Sequence, residues 1–314
     1  MTGFLLRRLA ATIAVLFGVS VGVFAIMHAV PGDPVRLALG TRFDPQTYAT
    51  LRHQSGLDRP LLSQYVRWLG GLLHGDLGVS FRSEEPVSEV IGTRLPATVS
   101  LAVAAIVIAI GISVPLGLAA ASRPHSAVDR LVTLLSQVGI SVPDFWLGII
   151  AILLLAGNLG WFPAGGYVPL SHDPTRWARH LILPAACVGV VSGAVLTRFV
   201  RAAALEALHA DHVRAARAKG VPERAILRHH VLRNAAVPVL TVGGIQLAYL
   251  LSGVVVVEIV FSWNGLGRLA MQSVQSRDYP VLQGAVLLFA LVFLVINLIV
   301  DVLTAAVDPR IALR

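Results

Sequence analysis

The chain has 314 residues, of which 56% are hydrophobic and only 13% are charged, and its mean hydropathy is +0.76. The charged fraction is about half the roughly 25% of a typical soluble domain, which excludes a soluble globular fold and predicts a membrane protein. The formal net charge is +8, but the basic residues are divided among the segments between apolar runs. This distribution argues against nucleic-acid binding and favours juxtamembrane arginines. The single cysteine excludes an intrachain disulfide.

Six apolar runs are long enough to cross a hydrocarbon core of about 30 Å, which takes about 20 helical residues. The first run follows Arg7 and Arg8, as in a signal peptide, but it exceeds a signal core of about 7–15 residues, so we expect a retained helix. The third run contains Pro143 and Asp144, which predicts a kink or an unwound turn. The runs cover residues 9–30, 97–121, 131–157, 181–200, 237–260 and 281–305.

The placement of Lys and Arg predicts the orientation of these helices. With the N-terminus inside, segment 198–236 lies in the cytoplasm with eight basic residues, whereas the short outer loops 158–180 and 261–280 carry two each. We therefore predict an all-α integral membrane protein with six transmembrane helices and cytoplasmic N- and C-termini. Several aromatic residues then fall at outer ends, as interfacial aromatics do: Trp161, Trp177, Trp263 and Tyr279.

The loop 31–94 is too long for a bare connection and predicts a small helical layer on the outer membrane surface. Asp44 and Pro45 are typical of a helix start, and Gly56 of its end. A second helix is expected after Pro60, and a further short helix at Pro86. The loop could cover the helix bundle or dock an extracytoplasmic partner. One face of the second helix is predicted to carry Leu61, Leu62, Tyr65, Leu69, Leu72 and Leu73.

The basic segment between the fourth and fifth runs predicts two short helices lying crosswise under the membrane. Asp211 is expected to cap the first, Gly220 to end it in the left-handed conformation, and Pro222 to fit the first turn of the second. Contact with anionic lipid explains the charge of this segment. It does not explain the paired helices, or the small face of Ala215, Ala216 and Ala218, which would let a protein partner approach the backbone.

Motifs along nearly the whole chain resemble the permease subunits of ABC importers, in the dipeptide, oligopeptide and nickel branch. "ARAKG" followed by "LRHHVLRNAAVP" is similar to the cytoplasmic coupling loop of that branch. Arg214 stands where the wider permease motif has a glutamate, and Asn264 where this branch usually has a proline. Further matches are "MHAVPGDP", "GLDRPLLSQYVRWL", "HGDLGVSF", "VVVEIVFSWNGLG", "RDYPVLQG" and "NLIVDVLTAAVDPRI".

The resemblance implies a type I importer permease in a bacterial-type inner membrane. A second homologous permease, expected to form a heterodimer, two cytoplasmic ATPases that bind ATP and Mg, and an extracytoplasmic substrate-binding protein would be its partners. Its implied parts are the first helix (1–30), the outer helical loop (31–94), the core (95–305) with coupling loop 207–236, and the tail (306–314). The implied ATPase-coupling residues are Asp211, Val213, Arg214, Ala215, Ala216, Arg217, Ala218, Lys219, Gly220, Glu223 and His230.

Four residues are candidates for the substrate pathway: Phe145, Trp146, Gln246 and Glu258. An ionisable group at Glu258, near the outer end of run five, indicates a pathway or helix-pairing role, unless its side chain reaches the interface. Aromatic packing is the simpler interpretation of Phe145 and Trp146. His230 fits a partner or lipid contact better than a metal ligand.

The chain has no G-x-x-x-x-G-K-[ST] phosphate loop, no H-E-x-x-H and no nucleophile elbow, so we expect neither catalysis nor a bound cofactor. Energy must come from a partner or an ion gradient. A secondary transporter is the main rival, although no inverted repeat or matching pair of broken helices is evident; a channel or an assembly scaffold is a third possibility. Peptides, glutathione and nickel chelates all fit as cargo.

Overall fold

The computed structural model describes residues 2–29, 31–40, 43–54, 56–231, 243–244, 246 and 253–307. Within these ranges every regular element is a helix, apart from an isolated antiparallel bridge between Val79 and Pro86. The chain divides into two compact units. The larger unit comprises Ser100–Trp263 and Val295–Arg314, and the smaller comprises Thr2–Val99 and Asn264–Leu294.

Twelve helices can be labelled in chain order in the described ranges. Residues 253–260 are also helical. The labelled helices are α1 (Thr2–Ala29), α2 (Pro34–Leu39), α3 (Pro45–Gln54), α4 (Leu61–Leu73), α5 (Val87–Ser122), α6 (Ala127–Ser141), α7 (Asp144–Ala151, continued as a π-helix over Ile152–Asn158), α8 (Pro174–His209), α9 (Asp211–Ala218), α10 (Glu223–Ala225, continued as a π-helix over Ile226–Val231), α11 (Leu266–Ser276) and α12 (Tyr279–Val307).

Helices α6 and α7 confirm the predicted break in the third apolar run. Together they are apolar enough to form one membrane span, and they are bent by 96°. The bend falls at Pro143, whose ring removes a backbone donor from the helix. The fifth predicted run, 237–260, lies mostly outside the described residues. Four described helices are long and apolar enough to cross a membrane singly: Leu6–Ala29, Val87–Ser122, Pro174–His209 and Tyr279–Thr304.

In the larger unit, α8 is the central helix, and small residues bring its neighbours close. A Cβ on Gly189 would lie 2.8 Å from the carbonyl oxygen of Ala105 in α5, and one on Gly139 of α6 would lie 2.7 Å from the Cβ of Ala194 in α8. Such close approach is how membrane helices gain packing contacts without a hydrophobic driving force. α8 is accordingly the most buried of the four candidate spans.

One expected interfacial aromatic residue has a different position. Trp263 is fully buried, and its ring packs edge-on against Tyr167 with centroids 4.8 Å apart. Its indole therefore stabilises the interior of the larger unit. The position in sequence, at the end of an apolar run, does not distinguish an interfacial tryptophan from a buried one.

In the smaller unit, a turn over residues 79–86 is fastened to the start of α12. The buried carboxylate of Asp278 accepts hydrogen bonds from Ser80 Oγ at 2.5 Å and from the backbone N–H of Phe81 at 3.1 Å. Burial raises the pKa of Asp278, although these hydrogen bonds oppose the shift. Nearby, Val87 and Ile91 of α5 pack with Leu266, Leu269 and Val281 of α11 and α12.

In the outer loop, the predicted ends of α3 are confirmed, whereas the predicted short helix at Pro86 is wrong. The Asp44 carboxylate accepts from the N–H of Thr47 at 2.7 Å, and Gly56 has a φ of +67°, so both predicted ends of α3 are confirmed. The expected short helix at Pro86 is instead the beginning of the 36-residue α5. Packing of Val87 and Ile91 extends this helix beyond the membrane-length apolar run. The expected boundary at 94/95 therefore lies inside α5.

Candidate functional site

The basic loop leaves α8 through a sharp turn and immediately forms α9. Ala210, with φ −67° and ψ 149°, occupies the position before α9 and provides no side-chain cap. Asp211 was expected to cap this helix, but it is the first helical residue. Its carboxylate instead forms an ion pair with Arg214, one turn later. The helix thus begins one residue earlier than the sequence predicts. The acidic group of Asp211 still lies at the positive end of the helix dipole.

The inner face of α9 is packed onto its own chain. Val213 is fully enclosed and Ala216 is nearly so. They share an apolar cluster with Ala204 of α8 and with Ile226 and Val231 of the π-helical continuation of α10. Two of the predicted coupling residues, Val213 and Ala216, therefore hold α9 in place and offer no surface to a partner.

The opposite face of α9 is exposed and contains small residues between charged ones. Ala215 and Ala218 lie on this face with Arg214, and Lys219 follows at its end. Of the three alanines expected to form a flat face, two are on the surface and Ala216 is not. The face is still shallow, because Ala215 and Ala218 let another backbone come close.

The joint between α9 and α10 confirms the prediction for Gly220 and adds an ion pair. Gly220 has a φ of +76°, the left-handed conformation that ends helices. Pro222 precedes α10 as its cap residue, one position earlier than expected. The Arg217 guanidinium donates to both carboxylate oxygens of Glu223, at 2.6 and 3.3 Å, and this bond lowers the pKa of Glu223. Arg217 thus bridges the two helices.

The two histidines of the loop lie in the π-helical continuation of α10. The Nδ1 of the exposed His229 is 3.2 Å from the carbonyl oxygen of Ala225. The side chain of His230, a predicted coupling residue, lies outside the described residues. Within the part of the chain that is described, no group of three or more His, Cys, Asp or Glu side chains is arranged to hold a metal ion.

Two pathway candidates directly follow the break between α6 and α7, in the first turn of α7. Phe145 and Trp146 are both exposed, so they do not pack in the core of the larger unit. Asp144 lies beside them, half-buried, and its Oδ1 accepts from the N–H of Phe145 at 2.7 Å. Its other oxygen, Oδ2, lies against Gly253, where a Cβ would be only 2.5 Å away. The break is therefore followed by a half-buried carboxylate and two exposed aromatic side chains.

The other two pathway candidates are enclosed to different degrees. Gln246 is partly buried. Glu258 is completely buried in the larger unit and engages a partner there. The alternative in which its side chain reaches the interface is therefore wrong. Its burial favours the helix-pairing interpretation, because an enclosed ionisable group needs polar contacts.

One polar connection near the basic loop was not anticipated from the sequence. Arg201 of α8 donates to Asp129 of α6 through Nε at 2.5 Å and Nη2 at 2.9 Å, and the N–H of His125 donates to the same carboxylate at 2.9 Å. This bidentate pair fixes the start of α6 to the part of α8 that leads into the loop. Ser126 and Asp129 have the spacing of a helix start, but nothing in the sequence points to Arg201.

Two family models match this chain, and together they cover nearly all of it. The model of the "Binding-protein-dependent transport system inner membrane component" matches residues 113–313, and that of its N-terminal region matches residues 1–102. The chain belongs to this permease family. The exposed two-helix loop and the broken third span are thus features of a transport-system membrane component.

Several curated relatives of this permease are similar over their whole length. A putative peptide transport system permease of Brucella abortus (strain 2308) is 43% identical over 311 residues, covering 99% of both chains. The oligopeptide transport system permease protein AppB of Bacillus subtilis (strain 168) is 41% identical over 314 residues, again 99% of both. The glutathione transport system permease protein GsiC of Salmonella typhimurium (strain LT2) is 43% identical over 311 residues and 99% of both.

Solved structures support the same fold for the permease. It resembles a chain of the inward-facing MetNI methionine ABC transporter with a TM-score of 0.58 and 19% identity, covering 70% of this chain and 96% of that one. An amino acid ABC transporter gives a TM-score of 0.54 at 15% identity, with 70% and 94% covered. At these identities the likeness concerns the fold alone.

Proposed function

We propose that this chain is a membrane-spanning subunit of an ATP-driven importer for peptides. The observation that carries the proposal is similarity at 41–43% identity over 99% of the chain to permeases named for peptide and oligopeptide transport. Such a subunit forms the pathway, and its own residues catalyse no reaction. A second permease of the same family, two ATPases holding ATP and Mg, and an extracytoplasmic binding protein complete the assembly in the inner membrane.

The topology of the proposal is six transmembrane helices with both termini in the cytoplasm. Its support is the four single spans, the bent α6–α7 pair, the apolar run 237–260 and the placement of the arginines. Cysteine labelling in intact cells tests it. A cysteine at the exposed Ala49 of α3 should react with a membrane-impermeant reagent, whereas one at the exposed Ala218 of α9 should react only after permeabilisation. The reverse pattern would refute the orientation.

Coupling to the ATPases is assigned to segment 207–236. The exposed side of α9, with Ala215 and Ala218 between Arg214 and Lys219, is the contact surface. The enclosed Val213 and Ala216 transmit its movement, because they pack against α8 and leave little freedom for α9 to move alone. Closure of the ATPases on ATP would then shift α8 with α9 and change which side of the pathway is open.

The pathway is assigned to the break between α6 and α7 and to residues of the fifth run. A carboxylate at Asp144 is costly against lipid, so the start of α7, with Asp144, Phe145 and Trp146, is expected to face a water-filled pathway or the second permease. Gln246 and Glu258 are the pathway candidates of the fifth run, 237–260. Glu258 would act there as an enclosed carboxyl group that pairs helices in one state of the cycle.

Glutathione is a second candidate cargo, because GsiC is as similar to this chain as the peptide permeases are. The complete transporter, reconstituted in vesicles with its ATPases and binding protein, separates the possibilities. ATP-driven uptake of an oligopeptide that exceeds uptake of glutathione supports the proposal, and the opposite ranking supports the second candidate. Uptake driven by an ion gradient without the ATPases would overturn both.

A further inference from the structure

Helix α4 of the smaller unit is packed against the apolar part of α1. The Tyr65 hydroxyl is 2.8 Å from Ser20 Oγ. The Phe24 ring lies 5.3 Å from the ring of Tyr65 and 5.8 Å from that of Trp68, centroid to centroid. On the adjoining side of α4, the Oε1 of Gln64 is 3.0 Å from His28 Nε2. α4 therefore crosses α1 near Phe24.

This crossing point lies below the end of the membrane-spanning helix. α1 ends at Ala29, five residues after Phe24, so the crossing is about 8 Å from the end at 1.5 Å per residue. Tyr65 reaches still further along α1, to Ser20. Amphipathic helices that lie in a membrane interface are buried by about 5–10 Å. The position of α4 matches that depth, on the topology of the proposed function, in which Ala29 is at the outer end.

A second face of α4 is apolar and open. Leu62 is 76% exposed, Val66 61% and Leu73 81%, and a spacing of four and seven residues places them on one face. Polar and charged side chains occupy a different sector, with Ser63 and Arg67 exposed. A row of large apolar residues this exposed is not typical of a surface layer in water.

The residue types on this face identify its occupant. Helix pairs in membranes meet through Gly, Ala, Ser and Thr, which let backbones approach, whereas this face has Leu62, Val66 and Leu73. α1 beside it also exposes large apolar side chains, Ile13 and Phe17, and Phe17 packs edge-on against Tyr65 of α4. Both observations favour acyl chains over a second protein.

We propose that α4 is immersed in the outer leaflet of the membrane, with Leu62, Val66 and Leu73 in contact with lipid acyl chains. Tyr65 and Trp68 anchor it to α1 at the level of the interface, where such rings are enriched. Arg67 lies in the polar sector, where a Cβ on Gly56 of the outer loop would be 3.5 Å from its Nη1, so the guanidinium stays out of the apolar face. Helix α4 is thus embedded in the bilayer, whereas the sequence predicts a layer that lies on the outer membrane surface.

Collision accessibility of spin labels tests this inference. Single cysteines at Leu62, Val66 and Leu73, with Ser63 and Arg67 as matched controls on the polar sector, are labelled in the complete transporter in lipid nanodiscs. The three apolar positions should show high accessibility to oxygen and low accessibility to water-soluble chromium oxalate. The two controls should show the opposite ranking.

Two other results would overturn the inference. High accessibility of the three apolar positions to chromium oxalate would place α4 in water, and low accessibility to both reagents would mean that a protein covers the face. Only labelled transporters that retain ATP-driven uptake are compared, which separates a folding defect from a wrong assignment. Labelling of a cysteine at Ala49 reports the topology independently, so failure of the proposed orientation is distinguishable from failure of this inference.

Discussion

Substitution of Gly220 by valine should uncouple ATP hydrolysis from transport without unfolding the chain. Gly220 has a φ of +76°, and a β-branched residue in the left-handed region is disfavoured by about 1–2 kcal/mol. Among the described residues, a Cβ at this position would meet nothing within 4 Å, so the penalty there is conformational and not a clash of the Cβ. A penalty of this size changes a local equilibrium by a factor of about 5–30.

The penalty acts at the joint between α9 and α10, where two sets of contacts restrain the helices. Val213 and Ala216 fix α9 to the apolar cluster, and the Arg217–Glu223 ion pair joins the two helices. Valine therefore favours other angles between α9 and α10 while the membrane helices remain folded. It also places two methyl groups on the surface that the ATPase is proposed to contact. We expect normal insertion, and ATPases that bind poorly or hydrolyse ATP without transport.

Four control variants isolate the cause. Gly160→Val has a matched backbone problem, since Gly160 also has a positive φ of +63° and open space around it, but it lies outside the loop and should leave coupling intact. Gly220→Asn should retain more coupling than valine, because asparagine tolerates the left-handed region. Arg217→Ala and Lys219→Ala should each have smaller effects, because exposed charges typically contribute about 0–1 kcal/mol.

Co-purification of the ATPases, measured together with the ratio of peptide transported to ATP hydrolysed, checks this prediction. If the loop instead serves to bind anionic lipid, the effects on coupling should have the opposite order. Arg217→Ala and Lys219→Ala should then be harmful, and Gly220→Val should have almost no effect. Full coupling in Gly220→Val, combined with loss of coupling in Lys219→Ala, would refute the assignment of this loop to the ATPase contact.

Three further predictions concern the pathway and the outer loop. Glu258→Gln should lower uptake and leave assembly with the ATPases intact, because the isosteric amide removes an enclosed ionisable carboxyl group; unchanged uptake would leave Glu258 a structural residue. Asp144→Asn should also lower uptake, measured in vesicles, whereas wild-type rates would remove the break from the pathway. Burial raises the pKa of Asp33, but hydrogen bonds from Tyr48 and the backbone, together with Arg52, outweigh it and lower the pKa below 3.8. The Asp33–Arg52 pair therefore stabilises the outer loop above that pH and is lost as the pH falls through the lowered pKa, so protease resistance should decline more on acidification in the wild type than in Asp33→Asn, which keeps the Asp44 cap as an acid-sensitive contact of α3.

The sequence by itself determined the features that depend on neighbouring residues. Apolar runs of membrane length predict spans because the backbone must satisfy its own hydrogen bonds in lipid. Pro143 predicts the break between α6 and α7, and Asp44 and Gly56 predict the ends of α3, because each acts on the backbone of its own turn. Gly220 belongs to the same class. These predictions required no knowledge of what the helices pack against.

Only the tertiary structure decided which faces those helices turn inward. Ala215 and Ala216 are adjacent and chemically identical, yet one is exposed and the other is packed against α8. The contacts of Asp129 with Arg201 and of Asp278 with Ser80 join residues that are 72 and 198 positions apart. Local backbone preferences carry no information about such pairs, because burial depends on which distant segments meet.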